Sequence, residues 1–251
     1  MDILYGKNPV LEALRAGRAA RKLVVANGLR DEVRLREILG TAQERGIPVE
    51  PSSRRRLDDI AHTEHHQGVV GYFHSRLPVP LDAFLDGIEP PGLLLVLDGI
   101  QDPQNLGALA RAVDAAGADG IITARDRSTA VTPAAAKASA GATEHVPVIT
   151  VTNLASALSM LGERGYWRVG LAADAPTRYD SFDYTSPSAL VVGAEGAGLR
   201  ELTRKRCDTL VALPMLGRVE SLNAAVAGAL LLYEAGRQRG FVPRHRVPAR
   251  V

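Results

Sequence analysis

LPMLGRVESLN, residues 213–223, follows a short apolar run and leads into an apolar helical pattern that continues to residue 239. The stretch combines a turn, two small polar side chains and a helix start at one point of the chain. This combination is typical of an active-site edge, because polar groups at a helix start can either cap the helix or contact a ligand.

Two earlier segments have the same form. DGIQDPQNLG, residues 98–107, follows an apolar run, and so does GAEGAG, residues 193–198. Each of these three segments joins a predicted strand to a loop, and they are called the first (98–107), second (193–198) and third (213–223) corner below. Because they belong to one domain, they predict one shared pocket.

From residue 93 onward, short apolar segments alternate with helical patterns. This alternation predicts an α/β domain whose mostly parallel sheet is covered by helices. The predicted strands are residues 93–97, 120–123, 146–150, 167–172, 189–192 and 209–213. The helices between them are predicted to begin near Asn105, Thr132, Asn153 and Gly198.

The closing helix is apolar on nearly every face. A helix of this kind must be covered on two sides, so we expect a subunit interface there. The stripe with helical spacing comprises Leu222, Ala225, Val226, Ala229, Leu230 and Tyr233.

Residues 2–74 form a smaller unit in which helical and strand patterns alternate. Four prolines between residues 78 and 91 then mark a weaker apolar pattern. We therefore predict an N-terminal domain over residues 1–76, a linker over 77–91, a second domain over 92–243 and a basic tail over 244–251.

Composition narrows the class of protein. No apolar run reaches the roughly 20 residues that a membrane-spanning helix needs, and a secretion signal is not recognised. We therefore expect a cytoplasmic protein without a membrane partner. The single cysteine, Cys207, excludes a disulfide within the chain. Its neighbours supply no base to activate it, so we expect a buried residue without a catalytic role.

The formal net charge of +2 is unevenly distributed. Residues 1–76 hold 13 Lys and Arg against 10 Asp and Glu, residues 77–236 hold 12 against 18, and residues 237–251 hold 5 against none. The basic ends favour a polyanionic partner, since cations release counterions from phosphates, although a solvated surface accounts for the same pattern. The clustered arginines at these ends are Arg54, Arg55, Arg56, Arg244, Arg246 and Arg250.

The glycines of GAEGAG fall at positions 1, 4 and 6 of the hexapeptide, whereas a dinucleotide-binding loop has them at 1, 3 and 6. The acidic residue that would hold a ribose about 20 positions further on is also missing. A dehydrogenase is therefore disfavoured. The glycines either let a ligand approach the backbone or form a tight turn before a helix.

Asn105, Ser221 and Asn223 each have two interpretations, as helix caps or as catalytic side chains. Arg111 follows Asn105 at a distance of about 9 Å along a helix axis and roughly 240° around it, so the two side chains leave on different faces. We expect Arg111 to reach a site that a partner chain completes.

Three histidines, His62, His65 and His66, lie close together in the sequence. No cysteine or H-E-x-x-H spacing accompanies them, so a metal site is not expected. Contact with RNA or plain surface exposure is the preferred interpretation.

Taken together, three patterns resemble the motifs of the SpoU (TrmH) family of RNA ribose 2′-O-methyltransferases. They are N-x-G-x-x-x-R at residues 105–111, GAEGxGL at residues 193–199 and LPM with SLN at residues 213–223. All three occur in order, and the similarity covers essentially the whole chain.

Outside these motifs, YGKNPVLEAL at residues 5–14 and HQGVV at residues 66–70 are similar to an extra N-terminal RNA-binding domain. That domain occurs in members that methylate a guanosine in 23S rRNA, and YEAGRQR at residues 233–239 fits the same branch.

The resemblance implies an L30e-like N-terminal α/β domain and a C-terminal SPOUT domain tied in a deep trefoil knot. It also implies a homodimer that binds S-adenosylmethionine (S-adenosyl-L-methionine) through backbone groups of the knot loops. By motif, the cofactor contacts would come from Gly193, Leu213 and Leu222. The catalytic group would comprise Asn105, Arg111, Glu195, Ser221 and Asn223.

The implied reaction is methyl transfer to the ribose 2′-OH of a guanosine in 23S rRNA, in the peptidyl-transferase P loop. One alternative keeps the reaction but changes the substrate to tRNA or to an antibiotic-resistance site of rRNA. The alternative from another class is a non-catalytic RNA-binding or ribosome-assembly protein.

The chemistry of its guanidinium group limits the roles that Arg111 can have. A guanidinium stays protonated in proteins, so we expect Arg111 to clamp a phosphate and steady the developing alkoxide rather than act as a simple base. Arg218 and Glu220 depart from the small residues typical of relatives, and they either tune substrate contact or pair with each other.

Overall fold

The computed structural model describes residues 1–126, 128 and 131–242. The predicted basic tail, residues 244–251, lies outside the described residues. Within the described ranges the strands are β1 Asp2–Tyr5, β2 Ala20–Ala26, β3 Val49–Ser52, β4 Val69–Phe73, β5 Leu93–Asp98, β6 Gly120–Ala124, β7 Val148–Val151, β8 Trp167–Leu171, β9 Thr177–Arg178, β10 Ser188–Gly193 and β11 Thr209–Ala212. The α-helices are α1 Lys7–Arg15, α2 Val33–Glu44, α3 Arg54–Ala61, α4 Leu81–Asp86, α5 Pro103–Ala116, α6 Pro133–Ala138, α7 Leu154–Glu163, α8 Glu201–Lys205 and α9 Ala224–Gln238.

The N-terminal strands form a mixed sheet in the order β1-β4-β2-β3. β4 pairs antiparallel with β1 and β2, and β2 pairs parallel with β3. Helices α1 and α2 pack on one face, where a core of buried aliphatic side chains and Phe73 excludes water. The predicted α/β class of this unit is confirmed, with β1 as an additional edge strand that the sequence pattern did not indicate.

The second sheet has the order β7-β6-β5-β10-β8-β11-β9, and every described pairing in it is parallel. Its central strands β5 and β10 are buried along their whole length, as expected of a sheet covered on both faces. Alternate residues of β5 enter two separate cores, because successive side chains of a strand point to opposite faces. The prediction of a mostly parallel sheet covered by helices is therefore confirmed.

Two predicted helix starts are wrong by a few residues. The helix placed near Asn105 begins at Pro103, because the Asp102 side chain accepts a hydrogen bond from Gln104 N (2.9 Å) and caps it. Asn105 is therefore not a cap, and its side chain is free for other contacts. The helix placed near Gly198 begins at Glu201, because Gly198 has a φ of +64° that no α-helix accommodates.

The segment predicted as a linker, residues 77–91, contains the short helix α4. Leu81 and Leu85 of α4 are buried against the second domain. Part of the segment is thus packed onto the sheet, and the domain boundaries themselves stay predictions. The trefoil knot also stays a prediction, since strand order and pairing do not define how loops thread.

Helix α9 lies against α5 and β10, and it keeps apolar side chains on its outer face. Val226, Leu230 and Tyr233, which follow i, i+4 and i+7 spacing, are each between 41% and 49% exposed. Among the described residues, Phe241 contacts the Tyr233 ring at a centroid distance of 5.9 Å, and the stripe otherwise stays partly exposed, whereas Leu231 and Leu232 on the opposite side are fully buried.

Gly107 allows α5 and α6 to touch, and it supplies a test of this packing. A Cβ at Gly107 would lie 2.5 Å from Ala138 Cβ and 2.8 Å from the backbone oxygen of Ala135. We expect Gly107→Ala to lower the free energy of unfolding by about 1–3 kcal/mol through overpacking.

The matched control is Gly40→Ala in α2, where an added Cβ meets nothing within 4 Å. This variant should gain about 0.5–1 kcal/mol from helix propensity. Urea titrations followed by circular dichroism measure both values. Equal effects of the two substitutions would show that α5 and α6 are not in close contact.

Candidate active site

Asn105, Glu195 and Asn223 meet at one point, although 118 residues separate the first from the last. Asn105 Nδ2 donates to Glu195 Oε1 at 3.1 Å, and Asn223 Nδ2 donates to Asn105 Oδ1 at 2.9 Å. Asn223 Nδ2 also contacts Glu195 Oε1. The structure thus brings together one residue from each of the three corners, and this set is called the polar cluster below.

Asn223 also ends the third corner as the cap of α9. Its Oδ1 accepts hydrogen bonds from Ala225 N (2.9 Å) and Val226 N (3.2 Å). The two interpretations of Asn223 are therefore compatible, because its oxygen caps the helix while its nitrogen contacts the polar cluster. The helix start also contributes Ala224 N, which lies 3.4 Å from Glu195 Oε1.

The second corner is a tight turn in which Glu195 lies exposed on the surface. Gly198 N donates to Ala194 O at 2.9 Å, and a Cβ at Gly193 would lie 2.1 Å from the carbonyl carbon of Gly198. Only glycine fits at position 193, because the returning backbone occupies the space of any side chain. The segment therefore forms a tight turn, although the helix that follows begins only at Glu201, and the turn directs Glu195 towards Asn105.

Asp98 and Arg200 fix this turn to the end of β5, and neither was predicted as a site residue. Asp98 is 1% exposed, and its carboxylate accepts Arg200 N at 2.9 Å as well as the Arg200 guanidinium. A buried carboxylate needs such partners because burial without them is costly. The sequence signal that indicates this role is Asp98 itself, an acidic residue at the end of an otherwise apolar strand.

The third corner has no regular secondary structure between β11 and α9, and it is largely exposed. Leu213 is half-buried and Leu222 is exposed, while Leu216 is 97% exposed. No hydrogen bond among the described residues involves Ser221 or the backbone groups of residues 214–222. Ser221 is therefore neither a helix cap nor a member of the polar cluster, and the backbone donors and acceptors of this corner are open to a ligand.

Arg111 lies apart from the polar cluster. Its side chain is exposed on α5, and it forms no hydrogen bond or ion pair with any described residue. Arg218 and Glu220 are exposed in the third corner, and the described contacts include no ion pair between them.

Cys207 and the histidines lie outside this site. Burial raises the pKa of the Cys207 thiol to about 12, which leaves it unreactive as a nucleophile. His66 is buried, and its Nδ1 accepts from Gly68 N (2.9 Å) while its Nε2 contacts Asp58 Oδ1 (2.8 Å). The expectation of RNA contact or surface exposure is therefore wrong for His66, which holds the turn before β4, whereas His62 and His65 are exposed.

Groups of three or more residues suited to a metal ion do not occur in the described ranges. In the same part of the chain, no helix is long and apolar enough to cross a membrane.

Comparison with known proteins gives two family matches that together span both domains. Residues 92–233 match the SpoU rRNA Methylase family, and residues 3–78 match the RNA 2′-O ribose methyltransferase substrate binding family.

Curated relatives align along almost their whole length. The chain is 46% identical to the 23S rRNA (guanosine-2′-O-)-methyltransferase RlmB of Ralstonia nicotianae, over 96% of this chain and 97% of that protein. It is 43% identical to the protein of the same name from Bordetella pertussis, over 95% and 98% of the two chains.

A solved structure agrees in fold. The SpoU methyltransferase AviRb from Streptomyces viridochromogenes, in complex with the cofactor AdoMet, superimposes with a TM-score of 0.80 at 28% identity. The superposition covers 96% of this chain and 91% of AviRb. With a family match over more than half of its length and relatives above 40% identity, the chain belongs to the SpoU rRNA Methylase family.

Proposed function

We propose that this protein transfers a methyl group from S-adenosylmethionine to the 2′-hydroxyl of a guanosine ribose in 23S rRNA. The observation that carries the proposal is the polar cluster, in which Asn105, Glu195 and Asn223 meet in a single hydrogen-bonded group. Relatives that carry this activity in their names align over both domains. The finer target that we propose is the peptidyl-transferase P loop.

The third corner suits S-adenosylmethionine, which supplies an electrophilic methyl group when bound. Residues 214–222 have open backbone groups, and Leu216 and Val219 present exposed apolar side chains for an adenine ring. A ligand held mainly through backbone groups would satisfy these donors and acceptors. We propose Leu213, Leu222 and the Gly193 turn as the cofactor contacts.

The N-terminal domain would bind the RNA. It matches a family described as substrate binding, and its helix α3 begins with the exposed arginines Arg54, Arg55 and Arg56. Such cations neutralise phosphates and orient a nucleic acid without reading its sequence. We also propose a cytoplasmic location, where ribosomal RNA would be the substrate.

The polar cluster would orient the ribose. Glu195 Oε1 accepts the contacts from Asn105 and Asn223, which leaves Oε2 without a described partner and able to accept a hydrogen bond from a ribose hydroxyl. Ser221, exposed two residues before Asn223, would supply a further hydrogen bond to the substrate. A hydroxyl held in this way is aligned for attack and its proton is partly shared.

Arg111 would act across a two-fold axis. Its side chain is exposed and unpaired among the described residues, and the apolar outer face of α9 is a surface that a second copy of the chain can cover. We propose a homodimer in which Arg111 of one protomer clamps a phosphate and stabilises the developing alkoxide at the polar cluster of its partner.

The proposed function is tested by incubating the protein with methyl-labelled S-adenosylmethionine and fragments of 23S rRNA. Label should enter a single guanosine, and alkaline hydrolysis should fail at that nucleotide because its 2′-hydroxyl is blocked. Transfer RNA from the same cells serves as the competing substrate.

Label in tRNA but not in rRNA would overturn the proposed substrate while leaving the reaction intact. Calorimetry that detects no binding of S-adenosylmethionine would instead favour a non-catalytic RNA-binding protein.

Substitution of Arg111 separates catalysis from cofactor binding. We expect Arg111→Ala to lower kcat by about 100- to 1,000-fold or more, since it removes a charge that acts on the transition state. The Kd for S-adenosylmethionine, measured by calorimetry, should stay within about twofold. Arg206→Ala, which removes another exposed arginine of the same domain, is the control, and a large loss of cofactor binding in Arg111→Ala would contradict the assignment.

Mixing two inactive variants tests whether Arg111 acts on the partner. Arg111→Ala and Glu195→Ala should each be inactive alone, but a refolded equal mixture should regain about a quarter of wild-type activity, because half of its dimers carry one intact site. Asn105→Ala mixed with Glu195→Ala is the matched control and should stay inactive, since both residues lie in the same protomer's cluster. Absence of recovery in the first mixture would place Arg111 in its own protomer's site.

A further inference from the structure

The two domains meet on one segment of the larger domain. This segment, residues 133–145, contains α6 and the 3-10 turn that follows it, and it is called the spacer below. Ala136 of α6 is fully buried and belongs to the hydrophobic core of the N-terminal domain. The contact is therefore a packed interface rather than a flexible connection.

At one end of the spacer, Lys137 binds the N-terminal domain. Its ammonium group donates to the backbone oxygen of His65 and lies 5.6 Å from the centre of the Tyr5 ring. Burial lowers the pKa of Lys137, in keeping with a position between the domains.

At the other end, Glu144 is held between two arginines that come from the N-terminal side of the chain. Its side chain is 2% exposed, lies 3.2 Å from the Arg18 guanidinium and 2.9 Å from that of Arg76. Arg76 also donates to the backbone oxygens of Thr143 (3.1 Å) and Glu144 (2.7 Å). Loss of the carboxylate charge would leave the buried Arg18 with Asp2 as its remaining acidic partner, and it would leave Arg76 with only the two backbone oxygens.

Between these ends, the backbone of the turn lies directly against α1. Gly141 has a φ of +93°, and a Cβ there would lie 2.7 Å from the Cβ of Glu12. At the last residue of the spacer, His145 Nε2 contacts the carboxylate of the same Glu12 at 2.8 Å. The contact between the spacer and the N-terminal domain therefore depends on close packing as well as on charge.

The spacer also touches the helix that carries the site residues. Gly107 of α5 leaves no room for a side chain between α5 and α6, and it lies between Asn105 and Arg111 in the sequence. A continuous series of packed contacts therefore joins the N-terminal domain to α5.

We infer that the spacer fixes the N-terminal domain in one orientation relative to the active site, with Glu144 as the positioning residue. The inference rests on the proposed function, in which an RNA contacts both domains at once. A long RNA bound by the N-terminal domain would then present one nucleotide to the polar cluster. A short RNA that contacts only the larger domain gains nothing from the spacer.

The test uses the full-length protein with Glu144→Gln, which keeps the shape and removes the charge. Kinetics are measured on a long 23S rRNA fragment and on a minimal hairpin that carries the same guanosine. We expect KM for the long fragment to rise about tenfold and kcat at saturation to stay within about twofold. Activity on the hairpin should not change.

Two further variants complete the design. Arg76→Ala removes only the more exposed partner of Glu144, and it replaces Glu144→Gln in the test if that variant fails to fold. Glu163→Gln changes an exposed glutamate at the end of α7 that has no described side-chain partner, so it controls for the loss of a negative charge. Small-angle scattering of the free protein should show a larger maximum dimension for Glu144→Gln and Arg76→Ala than for Glu163→Gln.

Identical scattering and identical KM for the long fragment in all three variants would overturn the inference. Failure of the wild-type protein to methylate either RNA would overturn the proposed function instead, and the scattering comparison would still decide whether Glu144 fixes the domain orientation.

Discussion

A single oxygen atom, Oε1 of Glu195, joins the three corners of the larger domain. It accepts from Asn105 on α5 at 3.1 Å and from Asn223, and it lies 3.4 Å from the first backbone nitrogen of α9. A carboxylate is suited to this position because it has lone pairs for several donors and its charge favours a helix start. Without it, the two amide side chains and the start of α9 would lose their common acceptor.

The position of Glu195 depends in turn on the parallel sheet. β5, β10 and β11 run in the same direction, so the loops that follow them leave from the same edge. The Asp98 carboxylate at the end of β5 binds Arg200 at the end of the glycine turn, which prevents that turn from moving away from β5. Binding sites of parallel α/β sheets commonly lie at this edge, because polar groups are excluded from the faces that the helices cover.

Three glycines allow neighbouring segments to lie in direct contact, because a glycine has no side chain between them. The space of a side chain is occupied by the returning backbone of the same turn at Gly193, by α6 at Gly107 and by α1 at Gly141. Interiors packed in this way transmit displacement, since they have little free volume. Packed contacts through α5 and α6 therefore join the polar cluster to the N-terminal domain, although the covalent connection between the domains lies elsewhere in the chain.

The sequence by itself determined the α/β class, the parallel sheet and the three corners, because apolar periodicity and turn residues depend on local physics. It also identified Asn105, Glu195 and Asn223 as candidates through their motifs. Only the tertiary structure decided that Asn105 is not a cap, that Ser221 stands apart from the polar cluster and that His66 is buried. The same holds for the Asp98–Arg200 and Glu144–Arg76 pairs, since partners that lie 102 and 68 residues apart are joined by packing that no local pattern encodes.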